Sequence, residues 1–336
     1  MPESSSTPGD ARRADLVMEG GGVKGIGLCG AVIALTEAGY TFPRVAGTSA
    51  GAISAALVAA LQAAGRPMAK LKDYVESVDY PRFEQESSLR RHLGVVGDAA
   101  HLLLHKGLFS GNYLVEWLGG ILEEIGITTF AQLRIDDPGS DLPSECSYSL
   151  VVHTADITRG KVVRLPWDYP SYGIDADRVR IVDAVRASMS IPFFFEPISV
   201  DVAHEVTHDG VVYAPGRVTW VDGGLLSNFP VEVFDRSDGR PSRWPTIGIK
   251  LSADAVSMPP PKPTRSALDE ALACLHTVLN NANRYYLPPD KAARTMFVDT
   301  TGIASTDFHL TAEQRDTLFA NGRAAAEKWL ADSTTT

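Results

Sequence analysis

The sequence predicts an α/β fold of three layers, α/β/α, with a mainly parallel central sheet carrying helices on both faces. Short apolar strand-like runs alternate with helical runs, and a glycine follows each of the first two helices as a stop. In addition, 44% of the 336 residues are hydrophobic, an ordinary share for a globular chain with a large core. Leu16-Val17-Met18 reads as the first strand, followed by a helix to Ala38 that stops at Gly39. Arg44 to Ala46 reads as the second, followed by a helix to Ala64 that stops at Gly65. From residue 67 to residue 133 the pattern is mostly helical and is expected to form a cap or insertion. Ser147 to Ile157 and Val162 to Leu165 read as strands joined at Arg159-Gly160, and Thr246 to Leu251 and Thr295 to Val298 as later strands of the same sheet. Met258 to Pro263 is a proline-dense loop, and Ser266 to Leu279 reads as helical. Thr311-Ala312-Glu313-Gln314 has the form of a capping box opening a helix to about Leu330. The expected organisation is a flexible tail over 1–13, a single domain over 14–330 and a short polar tail over 331–336.

Chemistry enters at Gly47-Thr48-Ser49-Ala50-Gly51, a serine bracketed by glycines between an apolar run and an alanine-rich helical run. A serine on so sharp a strand-to-helix turn projects its hydroxyl from the backbone, and the following helix aims its positive end at the same spot. Upstream, Gly20-Gly21-Gly22-Val23-Lys24-Gly25 follows the first strand and opens a helix, so its backbone N–H groups form an anion cradle. Downstream, Trp220-Val221-Asp222-Gly223-Gly224 sets an acid at the end of a short apolar stretch. Each glycine pattern should arise by chance about 0.1 times in a chain of this length, so their joint occurrence is informative.

These three segments, in this order, resemble the signatures of the patatin-like phospholipase family: a G-G-G-x-[KR]-G oxyanion loop, a G-x-S-x-G elbow and a D-G-[GA] motif. Ala184-Val185-Arg186-Ala187-Ser188, Ile191-Pro192 and Phe195-Glu196-Pro197 extend the resemblance, which covers roughly residues 14 to 250. It implies that Ser49 is the nucleophile and Asp222 its direct partner in a histidine-free dyad, with the Gly20, Gly21 and Gly22 amides binding the oxyanion. It also implies cleavage of fatty-acyl esters of a phospholipid or lysophospholipid through a covalent acyl-enzyme, without metal or organic cofactor. An aspartate of ordinary pKa near 4 is a poor acceptor for a serine proton, so burial of Asp222 is expected to narrow that gap.

Composition excludes several other classes. The net charge of −10 lacks the basic field of a nucleic-acid binder, and lipid contact, if transient, is expected to be apolar or local. Three widely spaced cysteines, Cys29, Cys146 and Cys274, fit a reducing compartment and no metal site. The N-terminal segment lacks the apolar stretch of a signal peptide, and Ala50 to Ala64 is too short to span a bilayer, so a cytoplasmic or peripheral location is expected. Oligomeric state is not legible.

Gly20-x-Gly22-x-x-Gly25 also fits a dinucleotide fingerprint, but that reading requires an acid at the end of the second strand, where this chain instead reaches Arg44-Val45-Ala46-Gly47 and then the serine elbow. An acyltransferase using the same dyad, or a catalytically silent lipid-binding scaffold, are the further alternatives. Phe193-Phe194-Phe195 reads as core packing ahead of an acyl pocket, Asp183 as a helix cap, His153 as a strand residue, and Arg90-Arg91-His92 as a solvated helix face.

Overall fold

Leu16, Val17 and Met18 are apolar in succession, which suits a strand covered on both faces, and all three are fully buried. The computed structural model describes residues 12–82, 107–109, 111–252, 287–305 and 307–333, with residues 270, 273, 274, 277 and 278. The chain begins with β1 (Arg12–Arg13) and β2 (Asp15–Met18), passes a 3-10 turn at Gly22–Gly25, and enters α1 (Ile26–Glu37). β3 (Tyr40–Thr41), β4 (Val45–Thr48) and α2 (Ala50–Ala63) follow, so the second main strand runs right up to Ser49. Next come α3 (Lys70–Glu76), β5 (Gly107–Phe109), α4 (Asn112–Ile125), β6 (Leu150–Asp156), β7 (Lys161–Leu165) and α5 (Ile181–Ser188). Five strands then succeed one another: β8 (Phe193–Phe195), β9 (Ile198–Val202), β10 (Val206–His208), β11 (Val211–Tyr213) and β12 (Gly216–Asp222). β13 (Thr246–Lys250), α6 (Pro289–Ala292), β14 (Thr295–Phe297) and α7 (Ala312–Ser333) follow.

The main sheet has eight strands in the order β14-β13-β2-β4-β6-β12-β9, with β7 on the second edge of β6. From β14 to β6 every pairing is parallel, while β12 runs antiparallel to both β6 and β9. Helices enclose it as the outer layers: α2 packs on β2, β4 and β6, and α7 lies along α1. The register contains the feature that builds the site. β4 pairs with β6 as far as Thr48 opposite His153, and β12 takes over the same edge with Asp222 opposite Thr154. Two strands arriving from opposite directions therefore meet end to end, one leaving through Ser49 and the other ending at Asp222.

Several expectations change in detail. The segment over 67–133 contributes α3 and α4, but also β5, which pairs in parallel with β8 from Gly107 opposite Phe193. Asp183 does not cap α5; it sits in the first turn, where its carboxylate accepts from Arg180 at 2.9 and 2.6 Å. The ion pair with a neighbouring guanidinium satisfies the carboxylate that would otherwise seek the helix amides. At the C-terminal helix, Thr311 N–H donates to Gln314 Oε1 at 2.9 Å and Gln314 N–H to Thr311 Oγ1 at 3.2 Å, a reciprocal capping box. That helix continues to Ser333, into the segment expected to be a tail. Residues 1–11, Arg90-Arg91-His92, the 258–263 loop and most of 266–279 lie outside the described residues.

Candidate active site

Ser49 occupies the junction of β4 and α2 with φ 53° and ψ −122°, a left-handed conformation that costs a residue with a side chain about 1–3 kcal/mol. Its surroundings hold it there. The Ser49 N–H donates to Ser188 Oγ at 2.8 Å, and the Ser188 hydroxyl donates to the His153 carbonyl oxygen at 2.6 Å. Thr48, fully buried, donates its hydroxyl to the Ser227 carbonyl oxygen at 3.0 Å. Gly47 and Gly51 face each other across the turn, and a Cβ on Gly47 would lie 2.2 Å from the Gly51 carbonyl oxygen. Ser49 is thus the N-cap of a helix of 14 residues, whose dipole has its positive end at this position.

Asp222 is buried at 2% exposure. Its N–H donates to the Ser190 carbonyl oxygen at 2.8 Å, and its Oδ1 accepts from Gly224 N–H at 2.7 Å, closing the turn through Gly223. Oδ2 is buried without a hydrogen-bond partner among the described residues. The Ser49 hydroxyl, its neighbour, donates instead a long contact to Met189 Sδ at 3.8 Å. Burial pushes the Asp222 carboxyl up to about 7, while the Ser49 hydroxyl and the Gly224 N–H work in the opposite direction. A carboxyl of that proton affinity is a far better match for a serine proton than an ordinary one.

The glycine loop approaches the same point from β2. The Gly20 Cα lies against Ser49, since a Cβ there would come 3.2 Å from the Ser49 Cβ. Gly20 departs from the expected set of oxyanion donors: its N–H donates to the Asn228 carbonyl oxygen at 3.0 Å, and Asn228 Nδ2 donates back to the Gly20 carbonyl at 3.1 Å. Gly22 has φ +57°, and a Cβ on it would fall 2.0 Å from the Ser305 carbonyl oxygen. Ser305 also accepts from Val23 N–H at 3.1 Å, while Lys24 and Gly25 complete the 3-10 turn, Gly25 resting on Ala50.

Between this loop and α2 opens an apolar cavity. Ala50, Ile53, Met189, Phe195, Trp117 and Phe308 are among the residues lining it. Phe195, expected in the core, is both buried and part of this wall. His153 stands apart from Asp222, since Asp222 opposes Thr154 and adjacent residues of a strand face opposite sides of the sheet. Burial lowers its imidazole to about 4, so it is neutral. Asp156 is also structural, accepting from the Tyr172 hydroxyl at 2.9 Å. Ser188, Asn228 and Ser305 were not singled out individually by the sequence reading. Ser188 belongs to the Ala184–Ser188 segment noted there, but its contact with Ser49 spans 139 residues, and no local pattern announces it. The dinucleotide alternative fails on position, because β4 ends at Thr48 and is followed by Ser49, with no acid there.

Comparison with known proteins bears on the same residues. The family model described as Patatin-like phospholipase matches residues 16–235. The chain is 32% identical over 316 residues to the uncharacterized protein YqhO of Bacillus subtilis (strain 168), covering 94% of this chain and 97% of that one. Among solved structures it is similar to VipD from Legionella pneumophila, with a TM-score of 0.50 at 16% identity, over 95% of this chain and 67% of that one. That likeness is one of fold.

Proposed function

This chain belongs to the patatin-like phospholipase family, and from that membership and the geometry of its site we propose that it is a serine lipid acyl hydrolase working through Ser49 and Asp222. The observation that carries the reading is the Asp222 Oδ2, buried, without a partner among the described residues, and beside a serine held at positive φ. A turn of the Ser49 side chain away from Met189 delivers its proton to that oxygen as Oγ attacks the ester carbonyl. The carbonyl oxygen, now negative, is received by the Gly21 and Gly22 amides and by the N-terminal field of α2. Asp222 passes the proton to the departing alcohol, leaving an acyl group on Ser49. It then takes a proton from water as the water oxygen attacks the acyl carbon, and returns that proton to Ser49 Oγ as the acyl–serine bond breaks, releasing the fatty acid and free serine.

The substrate class is a phospholipid or lysophospholipid, with its acyl chain in the cavity along α2. Among the described residues no helix is long and apolar enough to cross a membrane. The catalytic unit is a single domain over 14–330. Ser305 and Phe308, beyond the family match, contribute to the glycine loop and the cavity wall.

The test is to incubate wild type and Ser49→Ala with a mixed lipid extract and identify products by mass spectrometry. Free fatty acid should appear with wild type alone, with a fluorophosphonate adduct on Ser49. Turnover by Ser49→Ala at the wild-type rate would sink the assignment.

A further inference from the structure

Beside the glycine loop stands a buried ion pair that the reaction above does not use. Glu19 is the residue before Gly20, and Lys250 ends β13; their side chains are 8% and 5% exposed. Lys250 Nζ donates to Glu19 Oε1, and Leu251 N–H donates to Glu19 Oε2 at 2.6 Å. The Glu19 N–H donates in turn to the Ile249 carbonyl oxygen at 3.1 Å. Both neighbours of this knot touch the loop. The Leu251 side chain packs on Gly21, where a Cβ would lie 2.4 Å from Leu251 Cδ1. Lys250 Nζ lies 5.4 Å from the centre of the Phe229 ring, and the adjacent Asn228 grips both the N–H and the carbonyl of Gly20.

A buried ion pair is a weak way to stabilise a fold, since apolar residues of similar volume often do as well. Its position gives it another use. A lone carboxylate at residue 19 would set a negative charge next to amides that must accept a second one. Lys250 cancels that charge while the carboxylate keeps its two anchoring acceptors. We propose that the Glu19–Lys250 pair is a charge-neutral brace that orients the Gly21 and Gly22 amides and keeps net negative charge away from the oxyanion. The inference rests on the hydrolase reading, and both residues act as positioning residues.

The test measures kcat and KM on p-nitrophenyl butyrate, with active serines counted by fluorophosphonate titration. Lys250→Met strands the carboxylate, so kcat per titrated serine should fall on the order of 10²-fold, with KM within about threefold. Adding Glu19→Gln removes the charge and keeps an acceptor for Leu251 N–H, and should recover at least about tenfold of that loss. A residue that merely stabilised the fold would lower the titratable fraction, not the rate per titrated serine. An unchanged kcat in Lys250→Met, or no recovery in the double variant, overturns the brace. If Lys250→Met does not fold, Lys250→Arg and the neutral double variant decide: both within about tenfold of wild type support it, and a larger loss in either overturns it. A wild type that neither hydrolyses the ester nor takes up the probe defeats the hydrolase reading instead.

Discussion

Two buried aspartates at opposite ends of the parallel sheet are held in opposite ways. At the N-terminal end, Asp15 of β2 meets Arg44, the residue before β4: Nε donates to Oδ1 at 2.9 Å, and Nη2 donates to Oδ2. The guanidinium also lies over Phe234, 4.8 Å from the ring centre, so both carboxylate oxygens and the face of the cation are occupied. At the C-terminal end of the same strands, Asp222 has one oxygen tied to Gly224 and the other buried with no partner among the described residues. Ser49 beside it is held at positive φ. The first arrangement favours a single closed state. The second leaves a carboxylate that gains by taking a proton, which is what a general base requires. Burial alone therefore does not mark a catalytic acid; burial without a counter-charge does.

The sharpest way to break this contrast is Asp222→Asn, which preserves shape and removes the acceptor. Hydrolysis should fall by at least about 10³-fold, as losses of catalytic groups do elsewhere, with the circular dichroism of the fold retained. A single His→Ala variant that lost activity as completely while still folded would replace the dyad with a triad.

Next in size is the glycine loop. Gly22→Val must fit a branched side chain at φ +57° against the Ser305 carbonyl, and should reduce turnover by about 10²-fold or more. Unimpaired esterase activity in that variant would remove the loop from the mechanism. Addition of NAD or NADP should leave the melting temperature of wild type unmoved, in keeping with the lack of an acid at the end of β4.

The pH dependence gives a further test at Asp222. Because Asp222 is raised from 3.8 to about 7, it is protonated in the fold below that pH, and kcat/KM should rise with pH to a plateau, half-maximal near 7. The stability sign follows. Between pH 3.8 and about 7 the unfolded chain has released this proton while the folded chain retains it, so the carboxyl's contribution to stability is lost as pH rises through 7. Asp222→Asn should therefore gain in melting temperature over wild type from pH 4 to pH 8. A difference that shrinks with pH would contradict the burial argument.

The smallest expected effect on turnover lies at the opposite end. Arg44→Met strands the Asp15 carboxylate and should destabilise the protein by about 3–5 kcal/mol in urea unfolding, while leaving kcat per folded molecule unchanged. A matching fall in kcat would mean that the two ends are coupled through β2 and β4.

What the sequence by itself determines is local. Strand-to-helix turns announce themselves because consecutive glycines and apolar runs encode their own backbone geometry, as in Gly20 to Gly25, Gly47 to Gly51 and the Thr311–Gln314 capping box. The β2-α1-β4-α2 order is legible for the same reason. What only the tertiary structure decides is which of these turns meet. Ser49 and Asp222 lie beside each other because β4 and β12 occupy the same edge of β6 from opposite directions, a register written in none of the three segments alone. The engagement of the Gly20 amide by Asn228, the Ser188 bridge and the cavity wall from Phe308 are likewise set by contacts between distant segments. Asp183 shows the converse, a good cap by residue type drawn off by a nearby arginine. Local steric rules act within a few residues and can be read in order. Strand pairing and burial depend on the whole chain folding at once, and they convert an ordinary aspartate into one that holds a proton near pH 7.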